Sequence, residues 1–272
     1  MTEKISVNTL AGVPETLLVP LYARAQETQR PDAICHDPQA VAMMAKIEYD
    51  FSKFADTGAA SSLGIAVRTE ILDEQTAAYI AQHPNAVMIN IAAGLDTRFL
   101  RVDNGQIRWF DLDLPEAIEV RRRLLPEQPR QTYIAESALN FVWMQQVEKQ
   151  PHTLIIIEGL LMYFQEAEVK NLLNALTDHF PGAEMLVEVM GYSQAQRTDR
   201  DGMVSKTGGA FQWGIRNAAD MGEWHPKLKY IGDVSIYDRH EQRWLALPLQ
   251  WKASPAALRN TVDRIVQLRV AE

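Results

Sequence analysis

The chain has 272 residues, of which 47% are hydrophobic and 23% charged, with a formal charge of −8. This is the composition of a globular protein with a sizeable core, and the acidic balance argues against nucleic acid as the main partner, because phosphate recognition calls for a basic face. The single cysteine, Cys35, excludes an internal disulfide and a thiolate zinc centre, and the six histidines fall in no metal-ligand spacing, so no metal site is expected.

Residues 1–85 read as a helical cap. The opening MTEKISVNTL has no apolar signal core, so a cytoplasmic location is the expectation. Pro14 to Gln29 places Leu17, Leu18, Leu21, Tyr22 and Ala25 near helical spacing. Asp37-Pro38 forms an N-cap followed by proline at the first helical position, opening a helix over Gln39 to Ile47. Ser61 to His83 is a longer helix with Ile65, Leu72, Ala78, Tyr79 and Ile80 inward, and Pro84-Asn85 stops it.

From Val87 short β-rich runs alternate with helical stretches. Strands are predicted at Val87 to Ile91, Ile107 to Leu112, Gln131 to Ala135, His152 to Ile157 and Met185 to Met190. Helices are predicted at Pro115 to Leu125, Val142 to Lys149 and Glu166 to Phe180. Arg121-Arg122-Arg123 reads as a solvated helix face. The longest apolar run, Leu154 to Phe164, is broken by Glu158 and is too short to span a bilayer, so no membrane partner is expected. Tyr192 to Gly214, with Gly202, Gly208 and Gly209, reads as a mobile loop or lid. A helix near Ile215 to Met221 follows, with strands near Tyr230 to Tyr237 and Val262 to Val270. Strands alternating with helices predict an α/β fold, with a mostly parallel sheet covered by helices on both faces. No repeat, low-complexity tract or linker interrupts the chain, so one domain is the simplest organisation. Its parts are the cap (1–85), a ligand-binding core (86–190), a lid region (191–228) and C-terminal strands (229–272).

In such folds ligands bind beyond the carboxyl ends of the strands. Ala92-Ala93-Gly94, Asp96 and Arg98 follow the first strand, and Asp111 and Asp113 close the second. Glu136 and Ser137 follow the third, and Glu158 and Gly159 the fourth. An acidic residue roughly 20 positions after a glycine turn is where these folds hold a ribose diol. Asp113 occupies that position, and it also suits a helix N-cap before Pro115; both roles are compatible. Neither G-x-G-x-x-G nor a phosphate loop is present, which argues for an adenosine ligand without pyrophosphate and against a nicotinamide dehydrogenase. S-adenosylmethionine meets that description.

The run AAGLDTR after the first strand, FDLDLPE at 110–116 and EGLLMY at 158–163 resemble the leucine carboxyl methyltransferase family, in particular its bacterial branch of tetracenomycin-type polyketide O-methyltransferases. ARAQETQR at 23–30, Asp37-Pro38-Gln39-Ala40 and Val67-Arg68-Thr69 are similar to it too, so the likeness runs from about residue 20 to 190. The resemblance implies a class I methyltransferase-like, Rossmann-like sheet of seven strands and S-adenosylmethionine as cofactor. It implies that Arg68 pairs with the cofactor carboxylate and that the backbone of Ala92, Ala93 and Gly94 passes the methionine portion. Asp113 would hold the ribose, with Asp111 and Gly159 beside the cofactor, Glu158 near its ammonium or sulfonium, and Tyr163 closing the pocket. Asp96 and Arg98 would brace the turn. Taken without the motifs, Arg68 reads as a surface helix arginine and Tyr163 as a core aromatic. The bacterial branch carries an aspartate before the tryptophan at 143, where this chain has Glu136-Ser137-Ala138-Leu139-Asn140, so adenine recognition falls to Ser137, Ala138 and backbone groups.

Methyl transfer from a sulfonium is an in-line displacement, in which positioning supplies much of the rate. A carboxylate acceptor is already ionised and needs no base, so no catalytic side chain is assigned and Tyr163 stands as the open candidate. A phenol or alcohol would need one, with His225 or a tyrosine as candidates. The N-terminal helices and the loop carrying Phe211, Trp213 and Trp224 are expected to select the acceptor. The expected activity is O-methylation of a carboxylate or hydroxyl of a small, polyketide-like molecule. The alternatives are a methyltransferase acting on a protein C-terminal carboxylate and a non-catalytic nucleoside-binding module.

Overall fold

The computed structural model describes residues 4–7, 10, 13–55, 58–196, 204–207, 209–247 and 263–272. Seven strands form one sheet: β1 (Val87–Ile91), β2 (Arg108–Asp113), β3 (Gln131–Ala135), β4 (Thr153–Ile157), β5 (Glu184–Val189), β6 (Leu228–Ser235) and β7 (Arg264–Val270). Their spatial order is β3-β2-β1-β4-β5-β7-β6. The first five are mutually parallel, and β7 runs antiparallel between β5 and β6. The principal helices are α1 (Leu18–Thr28), α2 (Pro38–Lys46), α3 (Ala59–Gln82), α4 (Pro115–Leu124) and α5 (Glu166–His179).

The central strands β1 and β4 are buried on both faces and apolar apart from Asn90 and Thr153. Ile89, Ile91, Ile155 and Ile157 point into a core built with Leu172, Leu173 and Leu176 of α5. Met88, Leu154 and Ile156 point the other way, onto Leu63, Val67 and Ile71 of α3. A third cluster joins Leu18 and Leu21 of α1, Met43 of α2 and Ile65 of α3 to Leu95, just beyond β1. The cap is therefore packed against the rim where the strands end. Asp37 begins α2 as the sequence predicts: its Oδ1 accepts from Ala40 N at 3.0 Å and proline occupies the first turn.

Several expectations need correction. Arg121 is not on a solvated face: it is 1% exposed, and its Nη2 and Nη1 donate to Asp111 Oδ2 and Gly94 O, both at 2.9 Å. Arg122 and Arg123 are exposed. The helix predicted over 142–149 is a 3-10 turn at Phe141–Gln146. Ile215 pairs with Gly191 in a β-bridge, and the helical turn starts only at Ala218. The cap also contains a two-residue parallel pair, Ile5–Ser6 with Ile47–Glu48. Within the expected lid, Tyr192–Ala195 and Val204–Thr207 are helical turns, whereas Gly202 and Gly208 lie outside the described residues, as does Val262. Among the described residues no helix is long and apolar enough to cross a membrane.

Candidate active site

The carboxyl ends of β1 to β5, the cap and the segment after β6 enclose a cavity of about 780 Å³. Its floor is the turn after β1. Ala92 and Gly94 both adopt left-handed φ, 59° and 46°, and a side chain is costly in that region. At Gly94 a Cβ would also stand 3.2 Å from Leu17 Cβ on the cap. The turn is held by Ala93 N donating to Leu112 O at 3.0 Å and Asp96 N donating to Ala93 O at 2.8 Å. Small residues here answer two demands, an unusual backbone path and a helix packed directly above it.

Asp113 stands across the turn at the end of β2. Its Oδ2 accepts from Gly94 N at 2.6 Å and its Oδ1 from Leu114 N at 2.7 Å, which leaves lone pairs on both oxygens for further donors. Burial pushes its pKa up to about 6 despite those two bonds. Asp111, two residues deeper, is different. It does not reach the cavity and is fully buried, its oxygens taken by Asn90, Trp109, Arg121 and Gln131. It is a structural anchor under the rim, which corrects its expected place beside a cofactor.

The other end of the floor is a chain of buried ion pairs. Arg68 Nε donates to Glu158 Oε1 at 2.8 Å, and its Nη1 donates to both oxygens of Glu188 at 2.8 and 3.0 Å. Glu158 Oε2 accepts from Arg98 Nη2 at 2.8 Å. Arg98 also donates to Asp96 at 2.8 Å and to Asp73 of α3 at 2.7 Å. Burial works against ionising Glu158, but the Arg68 and Arg98 guanidiniums hold its pKa below the usual range. The same balance keeps Asp96 ionised beside Arg98. Asp96 and Arg98 thus brace the turn and tie β1 to β4 and to the cap.

Ten of the predicted residues line this one cavity: Arg68, Ala92, Ala93, Gly94, Asp113, Ser137, Ala138, Glu158, Gly159 and Tyr163. Tyr163 packs against Phe211, with ring centroids 5.5 Å apart. His225 lies outside it, paired with Asp178 at 3.2 Å, and is no candidate base. Trp213 and Trp224 pack on each other instead of on the cavity. Sequence reasoning missed Asn90, Arg24, Glu188 and the Tyr237–Trp244 wall. Glu188 occupies what reads as an ordinary strand position, yet its side chain is wholly buried and also accepts from Gly159 N at 2.6 Å, fixing a turn with φ of 66°. Glu188→Gln loses charge against Arg68 while keeping shape. It should destabilise the protein by about 1–3 kcal/mol in urea unfolding and raise KM for the cofactor more than it lowers kcat.

The family model for leucine carboxyl methyltransferases matches residues 18–177. This chain belongs to that family. The tetracenomycin polyketide synthesis O-methyltransferase TcmP of Streptomyces glaucescens is 33% identical over 231 residues, covering 84% of this chain and 85% of that protein. The S-adenosyl-L-methionine-dependent methyltransferase dpfgK of Gibberella zeae is 28% identical over 251 residues, covering 82% of each. Among solved structures, a putative methyltransferase from Thermobifida fusca superposes with a TM-score of 0.58 at 13% identity, covering 92% of this chain and 94% of that one. The last likeness concerns the fold, a class I methyltransferase sheet, and nothing finer. The family match ends within α5, so β5 to β7 and the segment between β6 and β7 lie outside the matched range.

Proposed function

We propose that this chain transfers the methyl group of S-adenosylmethionine to an oxygen, carboxylate or hydroxyl, of a small polyketide-like molecule. In this reading it is an S-adenosylmethionine-dependent O-methyltransferase, supported by one relative named an O-methyltransferase and another named an S-adenosyl-L-methionine-dependent methyltransferase. The observation that carries the reading is the floor of the cavity: a left-handed Ala92–Gly94 turn with Asp113 at one end and Arg68 at the other.

The residues fit that cofactor. Asp113 keeps acceptor capacity for a vicinal diol after its two backbone bonds are counted. Ser137 and Ala138, beyond β3, form the wall on the Asp113 side, where an adenine would lie. Arg68 is oriented by Glu158 and Glu188 through Nε and Nη1, and its remaining amino group lies beside Gly159, 3.7 Å from where a Cβ would stand. A guanidinium held this rigidly suits a carboxylate, as a charge-assisted contact. Bound there, the cofactor supplies an electrophilic methyl carbon on a cationic sulfur.

The protein's part is to hold, orient and dehydrate. Tyr163, Phe211 and Met162 line the same cavity and give it an apolar wall that would disfavour water beside the reacting methyl. Asp96 and Glu158 on the rim are compensated by Arg98 and Arg68, which leaves Asp113 as the rim acid with acceptor capacity for the ligand. A carboxylate acceptor arrives ionised and needs no base. A hydroxyl needs a proton acceptor within reach, and Asp263, immediately before β7, lines the same cavity. The family relation to a polyketide O-methyltransferase favours a small acceptor over a protein C-terminus.

Calorimetric titration with S-adenosylhomocysteine should give saturable binding with a dissociation constant of micromolar order. Labelled methyl groups should pass from the cofactor to a polyketide-like acceptor. Heat from a pyridine dinucleotide, with none from the demethylated cofactor, would overturn the assignment.

A further inference from the structure

The one polar residue of β1 is Asn90, two positions before the Ala92–Gly94 turn. It shares a strand face with Met88, which packs on Leu63, Val67 and Ile71 of α3, the helix that also carries Arg68. Asn90 is 2% exposed and lines the cavity. Its register partner on β2 is Asp111.

Two carboxylates fix the direction of its amide. Asn90 Nδ2 donates to Asp111 Oδ1 at 3.0 Å and to Asp96 Oδ2 at 3.2 Å. The reverse orientation would set the amide oxygen against two acceptors, so the nitrogen faces the acids and the carbonyl faces away from them. That carbonyl oxygen accepts no hydrogen bond from any described residue and is open to the cavity. Donation to two anions polarises the amide and makes its oxygen the stronger acceptor. An aspartate here would instead present a third negative charge to Asp96 and Asp111 with no proton between them.

At its amino-acid end S-adenosylmethionine carries two groups that demand opposite partners. Its carboxylate needs donors, which the Arg68 edge beside Gly159 supplies. Its ammonium offers three donors and accepts nothing. The acids nearest Arg68 are already engaged: Glu158 accepts from Arg68 and Arg98, and Asp96 from Arg98 and Arg101. Asn90 adds an acceptor that no described residue uses, on the strand face that α3 covers.

We infer that the side-chain carbonyl of Asn90 accepts a hydrogen bond from the cofactor's ammonium, so that Asn90 and Arg68 together select an α-amino acid tail. Glu158 then serves chiefly to orient Arg68. This inference rests on the S-adenosylmethionine reading and adds the residue that reads the amino group.

The test is calorimetric titration of the full chain with a set of adenosine thioethers. S-adenosylhomocysteine has both groups, its decarboxylated analogue keeps the amine, its deaminated analogue keeps the carboxylate, and 5′-methylthioadenosine has neither. The wild type should bind the deaminated analogue at least about tenfold more weakly than S-adenosylhomocysteine. Asn90→Ala should weaken S-adenosylhomocysteine and the decarboxylated analogue by about tenfold each, and change the other two by less than about twofold. A purely structural role, exerted through Asp96 and Asp111, would weaken all the ligands alike, and that result overturns the inference. So does an Asn90→Ala protein with unaltered affinity for S-adenosylhomocysteine, or a wild type indifferent to loss of the amine. Should Asn90→Ala fail to fold, wild-type protein labelled with 13C at its asparagine side-chain carbonyls decides the matter by NMR. The Asn90 signal should move with both amine-bearing ligands and stay in place with the deaminated one; no movement, or the same movement with all, overturns the inference. Any of these failures with S-adenosylhomocysteine still bound leaves the methyltransferase reading standing, whereas a wild type that binds none of the ligands removes both.

Discussion

Arg68→Ala is expected to destabilise the protein by about 3–5 kcal/mol and to abolish measurable cofactor binding. The reason is what remains behind. Glu188 is 1% exposed and has the Arg68 Nη1 as its cationic partner, and Glu158 would keep only Arg98. Removing one member of a buried ionic cluster leaves the others paying for desolvation without their attraction. The Gly159 turn, anchored to Glu188 Oε2, would loosen with it. Urea unfolding gives the stability loss directly. Arg68→Lys separates the two effects: it restores a charge but not the fork that reaches both glutamates. It should recover part of the stability and little of the cofactor affinity. An Arg68→Ala protein as stable as the parent would mean that the carboxylates are protonated or solvated, contrary to the ion pairing described.

Asp113→Ala should weaken S-adenosylhomocysteine binding by about a hundredfold, near 3 kcal/mol, because a buried diol loses charge-assisted acceptors on both hydroxyls. The same residue gives a pH dependence whose sign is set by its pKa, which burial raises to about 6, above the ordinary aspartate range. In the ligand-free protein, burial favours the neutral acid. Its contribution to stability is present below the unfolded pKa and is lost as pH rises through the folded one. Ribose hydroxyls donate to the ionised form and favour it. Cofactor binding should therefore tighten as pH rises from about 5 to about 7, with proton release on binding near the lower end. Calorimetry in buffers of different ionisation enthalpy measures that release. Affinity independent of pH in the wild type, together with an unaltered Asp113→Ala, would remove Asp113 from the ribose site.

The wall formed by Tyr237 and Trp244 is tied to the cap by charges at some distance from the chemistry. Arg243 pairs with Glu27 of α1 at 2.6 Å, and His240 lies 2.8 Å from Glu70 of α3. These contacts hold the segment against α1 and α3. The segment lies outside the stretch matched by the family model.

Much of the floor was legible in the sequence. A predominantly apolar strand must be covered on both faces, and Val87–Ile91 and Thr153–Ile157 are buried at every position. A strand that stops on Ala92-Ala93-Gly94 leaves backbone accessible at its end, and an acid closing the next parallel strand comes to stand beside it. These are consequences of strand periodicity, glycine conformation and register, all of which act over a few residues. The ordered motifs added the family and with it the cofactor.

What only the tertiary structure decided is the partnering of charges and aromatics. Arg121 belongs to a run of three arginines that is indistinguishable from a solvated face until α4 lies over Asp111. Asp111 and Asp113 share a strand face, and only depth below the rim separates an anchor from a candidate ligand residue. Glu188 and Arg68 are 120 positions apart, and nothing local to either announces the other. Trp213 and Trp224 met each other, while Tyr237 and Trp244 reached the cavity. Local sterics and hydrophobic periodicity write themselves into neighbouring residues. Desolvated ion pairs and cavity walls are made between segments that meet only when the sheet has formed, so their energies are decided by the fold.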